Sequence, residues 1–529
     1  MNKKEQTANK MVDTGVIILL VLLTLLLLSE LFLSLQWRMQ HDSPIYYYSA
    51  FLMNEHGAVP YKDIFETSIA GTFILNAAIC KIFGYGDFAF RLVDIISLVI
   101  LLTMTWLFMK SLGKIIAFSS ILLFGLMYLG FGPSMSLQRD YIGIIPIAAA
   151  IFFGTRNTRF KKRKIIALII GGLFALSVSI KPHLALAFPV IIFYMSLEKK
   201  SEKNTKKIFS WSRLIKLSFF GMLGFVFVLS IPFIWLWKKG GLPYFWEIFH
   251  DYLPLHIQLS GNHVLMSGTK RFFYLLYRYR QFCGMESLAL AACFGLFFGW
   301  DRFKKAPQQI RFIILLAALL VLYSIYPVLS GQFWNYHWMP FVYFACLCTS
   351  LLLLPVTSSS SPLYKKVVPF IFFLLFGLTT IHTSIDFRHQ ISGQGPLPPK
   401  KGRVDKIANF LKENLRKGDT VQPLDWTGGA LHGMLLAKAV IATPYILDYY
   451  FYHHISNPYI QKLRKRMMKA LEDKKPTFFI HLIDEPRPRG ENTTTEFPEL
   501  NKFIDEYYSI AYEGDGFKIY KRQKLIPVK

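Results

Sequence analysis

Read as apolar and polar positions, the chain is a succession of long apolar runs joined by short basic loops, followed by a polar terminal stretch. A helix rises about 1.5 Å per residue and needs roughly 20 apolar residues to cross about 30 Å of hydrocarbon. On that measure the pattern predicts about eleven spans, at 15–36, 87–109, 115–132, 141–155, 165–181, 183–198, 214–237, 285–300, 312–330, 338–356 and 367–386. Segment 67–83 is apolar but short and carries Lys81, so it is expected to lie in the interface. After Asp386 the pattern changes. A Gly- and Pro-rich linker over 387–402 marks a boundary. Beyond it the alternation predicts a helix at 403–416, strands at 419–424 and 438–442 around a helix at 429–436, and a helix at 458–471. A strand at 477–483, a helix at 500–506 and a strand pair over 510–520, broken at 514–516, complete the series. The expected fold is a polytopic α-helical membrane protein (about 11 transmembrane helices) with a C-terminal extracytoplasmic α/β domain. The membrane domain would cover 1–386, with an outer loop at 37–86 carrying interfacial helices, and the soluble domain 403–529.

Charge orients this pattern. The net charge is +27 with 53% hydrophobic residues. The cations fall in short clusters between apolar runs, which points to membrane topology and not to a nucleic-acid footprint. With the N-terminus in the cytoplasm, Lys110 and Lys114, the 156–164 cluster, the KKSEKNTKK segment at 199–207, the 302–311 cluster, and Lys365 with Lys366 all lie on the cytoplasmic side. Residues 37–86, Arg139 and Asp140, the Lys181–Pro182 turn, the 239–284 and 331–337 loops and the C-terminal segment then share the outer face. The first run, behind Lys3, Lys4 and Lys10, is longer than a signal-peptide core and lacks a small-x-small cleavage site, so it is expected to stay as an anchor. Five cysteines without paired spacing indicate neither a disulfide framework nor a zinc site. The 358–361 serines read as a short polar turn.

Against this background residues 40–71 stand out. They gather Asp42, Glu55, Asp63 and Glu66 beside His41, His56, Lys62 and a tyrosine cluster of Tyr46, Tyr47, Tyr48 and Tyr61. Asp42 follows the expected end of the first span. Partial desolvation there raises the basicity of a carboxylate and lets it take a proton from a hydroxyl at the membrane surface. The plainer alternative is a solvated acid at a helix end. Arg139, in PSMSLQRDYIG, can hold a lipid-linked phosphate by paired charge-assisted hydrogen bonds, or snorkel to headgroups with Asp140 as its partner. Lys181, before Pro182, is a second phosphate candidate or a span-end anchor. His337, in GQFWNYHWMP, can donate to a phosphate or sugar oxygen, with Trp334, Tyr336 and Trp338 offering flat faces. Such aromatics also form ordinary interfacial belts.

Asp42 after the first run, the Tyr-rich segment, GAVPYKDIFE, the small-residue stretch Ile69, Ala70 and Gly71, FGYGDFAFRL before the second run, and YHWMP together resemble the membrane glycosyltransferases of the C-type superfamily. The resemblance is to the branch holding protein O-mannosyltransferases and the lipid A aminoarabinose transferase. It implies transfer of a sugar, with inversion, from a polyprenyl-phosphate donor to an acceptor on the outer face. It implies Asp42 as general base or acceptor-orienting acid, Arg139 and His337 on the donor phosphate, and Asp63, Glu66 and Asp140, with Tyr61, shaping the acceptor and sugar sites. The chain departs from this family in two places. Many relatives carry Asp-Glu where this chain has Asp42 and Ser43, and Lys-Pro-Pro-Gly where it has Ser68, Ile69, Ala70 and Gly71. The missing lysine leaves its phosphate contact to Lys62, Arg139 or Lys181, or else the donor is held differently.

The expected partners are a polyprenyl-phosphate-linked sugar donor, an envelope glycan, lipid or protein acceptor, and membrane lipids, with no nucleic acid. No cofactor is expected, and the need for a divalent metal is open. The expected location is a cell inner (plasma) membrane. A transporter or flippase of lipid-linked sugars is the rival reading. Transporters keep ionisable or helix-breaking positions near mid-membrane and have paired halves. Here Asp94 is the notable interior charge, and no half-repeat is evident. A structural assembly protein would account for the C-terminal segment but not for the acids. A topology reporter fused after Asp386 is expected to be active on the outer side; activity in the cytoplasm would refute the orientation.

Overall fold

The computed structural model describes residues 3–156, 160–197, 209–357 and 363–523; the lysine-rich 199–207 segment, Arg159 and the 358–361 turn lie outside the described residues. The chain packs as two compact units. One is formed by Met1–Trp37, Leu92–Ile231 and Leu276–Pro396, the other by Arg38–Arg91, Pro232–Leu275 and Leu397–Lys529.

Among the described residues six helices are long and apolar enough to cross a membrane, or eight if each of two sharply bent pairs is one span. They are Lys10–Gln36, Asp87–Met109, Lys162–Ile180, Trp211–Lys238, Pro307–Ser330 and Asn335–Leu353. The runs expected at 115–132, 141–155 and 183–198 are helical, at Lys114–Gly130, Ile144–Thr155 and Pro182–Ser196, but shorter than 18 residues. Six to eight spans by length therefore stand against the expected eleven. Only 22% of the most apolar window of Trp211–Lys238 is buried, and Ile215, Phe219, Val226 and Phe227 point outward. Such rows are stable only against lipid, and the chain is built as a multi-pass membrane protein.

Local sequence explains how the helices of the first unit begin, end and approach. Pro307 opens Pro307–Ser330 at its first turn and Gly331, at φ 71°, closes it in the left-handed conformation. Lys181 precedes Pro182, which forces it to extended backbone (φ −147°, ψ 112°) and ends the Phe160–Ile180 helix there. A side chain added at Gly171 would strike the Gly221 carbonyl, and one at Gly224 the Leu168 carbonyl, so glycine lets these two helices touch backbone to backbone. Charges inside the unit are matched. Asp94 accepts from the Tyr128 hydroxyl at 2.5 Å and the Leu137 N–H at 3.0 Å, and Glu30 accepts from the Ser384 N–H at 2.7 Å. Matching is needed because an unpaired carboxylate in lipid costs several kcal/mol.

The second unit is built on a five-stranded sheet. Its strands are β1 (Thr420–Leu424), β2 (Val440–Ile441), β3 (Phe478–Leu482), β4 (Tyr508–Gly514) and β5 (Phe517–Arg522), in the order β2-β1-β3-β5-β4. The first three are parallel, with Val421 opposite Phe478, and the β4–β5 hairpin adds antiparallel to β3, with Ile480 opposite Ile519. The helices Arg403–Asn414, Ala430–Leu436, Pro458–Lys474 and Pro498–Tyr507 alternate with these strands and bury Val404, Ile407, Leu463, Met467 and Ile504. Residues 38–91 are part of the same unit. Arg38 bridges Asp87 at 2.7 Å and Asp405 at 2.8 Å, and Tyr48 donates to the Ala439 carbonyl at 2.8 Å. Tyr46, Tyr47 and Tyr48 are thus buried core on the Ser43–His56 helix.

At the end of β1, Asp425 is buried and accepts from the N–H groups of Gly428, Gly429 and Ala430. Burial, and then the nearby Asp425 charge, pushes the Glu485 carboxyl up to about 7. The folded state therefore holds a proton that an unfolded chain releases near pH 4.5. This contribution to stability is complete below pH 4.5 and is lost as pH rises through 7. The Glu485→Gln variant is expected to show a flatter melting temperature between pH 5 and 8 than the parent; an unchanged slope would contradict this.

Candidate functional site

The polar cluster in the first unit forms where three helices end. Asp140 lies in the short Arg139–Ile142 helix and is fully buried. Its Oδ1 accepts from the Tyr326 hydroxyl at 2.5 Å, and its Oδ2 lies 3.7 Å from the Lys181 ammonium. The ammonium stands 3.5 Å from His337 Nε2. His337, in the Asn335–Trp338 turn, is 2% exposed, and its Nδ1 lies 2.8 Å from the Ser330 hydroxyl. That hydroxyl donates to the Pro327 carbonyl, so toward His337 it acts as acceptor and Nδ1 carries the hydrogen. The Nε2 lone pair then faces Lys181. Ammonium, imidazole and carboxylate form one chain, with the cation between two acceptors. His183 stands against Tyr326, ring centroids 5.9 Å apart.

Such a cluster is suited to an anion. Lys181 keeps 12% of its side chain exposed while Asp140 keeps none, so the ammonium is the reachable member. A phosphate oxygen arriving there would meet a cation, and an imidazole able to take up a proton and donate it in a hydrogen bond. The proline that extends the backbone at Lys181 is what directs this side chain away from its helix. Arg139 is half-buried in the same short helix as Asp140.

The second unit carries the other candidates. Asp42 precedes the first turn of Ser43–His56, does not cap it, and lies 2.9 Å from His41 Nδ1; its side chain is 16% exposed. Glu66 is buried, with Oε1 accepting from Ser68 at 3.0 Å and Oε2 from the Tyr450 hydroxyl at 3.1 Å. Burial above all, and then the neighbouring Tyr252, Glu66 and Asp42, pushes the Tyr449 hydroxyl well above its usual value, so it stays a neutral donor beside these acids. Tyr252 in turn meets His453 Nε2 at 3.0 Å. The remaining residues of the 57–66 motif hold its loop together. Asp63 accepts the Val59 N–H at 2.9 Å, closing the turn. Tyr61 is buried, donates to the Ser68 carbonyl at 2.6 Å and packs on Phe73 and Phe245. Lys62 points to solvent.

Within the first unit the structure groups Asp140 with Lys181 and His337. Sequence reading missed Tyr326 and Ser330, which sit in an apolar run, and Tyr449, Tyr450 and His453. The run of aromatics and histidines at 449–454 was the one available signal for the last three.

Residues 69–231 match the family described as dolichyl-phosphate-mannose-protein mannosyltransferase. Among solved structures, that of ArnT from Cupriavidus metallidurans bound to undecaprenyl phosphate superposes with a TM-score of 0.57 at 12% identity, covering 94% of this chain and 97% of that one. Its apo state gives 0.55 at 11%, covering 96% and 98%. No curated protein sequence matches the chain. The fold is ArnT-like, and the chain resembles the membrane glycosyltransferases of the C-type superfamily.

Tyr326→Phe removes the donor to Asp140 and is expected to cost about 1.5–3 kcal/mol, the worth of a hydrogen bond to a charged group. Thermal unfolding of the purified protein in detergent reads this out; an unchanged melting temperature would show that the bond contributes nothing.

Proposed function

We propose that the protein is a membrane glycosyltransferase that moves a sugar from a polyprenyl-phosphate donor to a cell-envelope acceptor (a glycan, lipid or protein) on the outer face, with inversion. The observation that carries this reading is the chain of Asp140, Lys181 and His337 at the ends of three helices. It supplies a reachable ammonium, fixed on one side by a buried carboxylate and on the other by an imidazole of defined tautomer. The match over 69–231 to a polyprenyl-phosphate-sugar family and the ArnT-like fold support the same donor class.

In this reaction the acceptor hydroxyl oxygen forms a bond to the anomeric carbon, the bond from that carbon to the phosphate oxygen breaks, and polyprenyl phosphate leaves. One displacement inverts the anomeric centre. Asp42 is the proposed base that removes the hydroxyl proton, with His41 holding its Oδ1. Lys181, with Arg139 and His337, is proposed to stabilise the charge that develops on the departing phosphate, in the place of the lysine missing near residue 68. Glu66, with Ser68 and Tyr450 bound to it, and Asp63 and Tyr61, which hold the loop, are positioning residues. Lys62 is the least constrained of the phosphate candidates.

Membranes supplied with radiolabelled polyprenyl-phosphate sugars are expected to transfer label. Asp42→Asn is expected to reduce kcat by about 10²–10⁴ with carrier binding intact. Lys181→Gln is expected to weaken binding of the carrier phosphate at least about tenfold, the share of one charged hydrogen bond. Full transfer by Asp42→Asn would refute the role of Asp42. No transfer from any such donor, with carrier translocation in liposomes instead, would refute the enzyme.

A further inference from the structure

The Pro458–Lys474 helix of the second unit has two opposed sides. Ile460, Leu463, Met467 and Leu471 recur every three or four residues and are buried. The opposite side carries Lys462, Lys465, Arg466 and Lys469, all exposed, which line one shallow groove with Pro458 and Gln461. A solvated face usually intersperses both signs of charge. This stripe carries one sign over two turns, and Glu472 and Asp473 come only in the turn beyond, beside Lys474 and Lys475.

Salt bridges fix where the stripe is held. Arg466 donates to Glu247 at 2.5 Å, and Lys462 lies 3.6 Å from the same carboxylate, while Lys465 and Lys469 carry the charge farther along. Glu247 ends the Leu242–Glu247 helix, which begins four residues after the last residue of the apolar Trp211–Lys238 helix. Gly240, at φ 72°, reverses the chain there, and the Gly241 N–H donates to the Leu236 carbonyl at 2.9 Å. Phe245 then packs on Phe233, ring centroids 5.3 Å apart, so the short helix lies back against the last turns of the span. Tyr244 and Trp246 stay exposed on it, as do Trp237, Lys238 and Lys239 at the end of the span. Exposed tryptophan and tyrosine beside cations at the end of an apolar helix mark the level of the lipid headgroups. Through Glu247 the cationic stripe is tied to that level. In the orientation proposed above this is the outer side, where the rule that gathers cations in the cytoplasm supplies no reason for them.

We propose that this stripe, with Tyr244 and Trp246, docks the second unit onto the phosphate headgroups of anionic lipids in the outer leaflet. The aromatic rings favour a lipid surface over a soluble polyanion, because they gain from the headgroup boundary while the cations gain from its negative potential. Docking holds the unit at the leaflet in which the proposed donor is met. The choice of leaflet rests on that reading; the docking surface does not.

The full chain reconstituted in nanodiscs provides the test, read as the rate of amine acylation at single lysines by mass spectrometry. With phosphatidylglycerol in the discs, Lys462, Lys465 and Lys469 are expected to react about fivefold more slowly than in pure phosphatidylcholine, the weight of one cation near an anionic surface. Lys502, on the Pro498–Tyr507 helix, is expected to keep its rate. Inorganic phosphate or soluble polyphosphate, added to pure phosphatidylcholine discs, is expected to protect none of them. Lys465→Gln with Lys469→Gln, both at exposed positions, is expected to abolish the protection of Lys462, and Lys465→Arg with Lys469→Arg to restore it. Equal rates in the two discs, a slowing that Lys502 shares, or protection of Lys462 that survives in the glutamine variant would overturn the docking surface. Protection by phosphate or polyphosphate would overturn the lipid assignment. The footprint is read without sugar transfer, and a wrong orientation is detected by the reporter after Asp386, so each claim fails on its own.

Discussion

A carboxylate with no exposed surface, Asp140, sits among apolar helices, and side chains of the first unit are turned toward both its oxygens. Leaving such a group unpaired costs several kcal/mol, more than most single packing contacts return. Its two oxygens are met by a tyrosine from the last turns of one helix and by a lysine that a proline swings out of another. The lysine in turn needs an acceptor on its open side, which His337 supplies. One desolvated acid therefore fixes the ends of the Phe160–Ile180 and Pro307–Ser330 helices and the 335–338 turn. It leaves one cation partly reachable.

Much of the architecture was legible as apolar periodicity. Each run expected to span carries helix among the described residues, although that at 367–386 is broken at 381–384, and the C-terminal alternation places its strands within a few residues of β1 to β5, because β-branched and aromatic runs between Gly and Asp breaks leave little choice. Span count was not legible. Runs such as 141–155 and 183–198 are apolar enough but form helices shorter than a bilayer needs, and length along the sequence does not reveal where a 3-10 turn or a proline cuts a helix.

The candidate site was half legible. Lys181, His337 and Asp140 announce themselves as ionisable residues next to apolar runs, but periodicity carries no information about pairing across 156 positions, the separation of Lys181 and His337. Tyr326 and Ser330 were invisible because their positions read as part of an apolar stripe. In the 57–66 motif the opposite happened. Asp63 and Tyr61 look like chemistry in the sequence, yet one closes a turn and the other anchors a carbonyl. Polar residues in a tight loop must first satisfy the backbone of that loop, and only what is left over is available to a substrate.

The central claim is that Lys181 and His337 form a waiting seat for a phosphate. The most direct measurement is 15N NMR of histidine-labelled protein, with the His337 signals assigned by His337→Gln, before and after addition of undecaprenyl phosphate. The account predicts the neutral tautomer with hydrogen on Nδ1 and a bare Nε2 in the free protein, and a shift of the Nε2 signal toward the protonated position when the carrier binds. Hydrogen on Nε2 in the free protein, or a His337 spectrum unmoved by a carrier that binds, would contradict it.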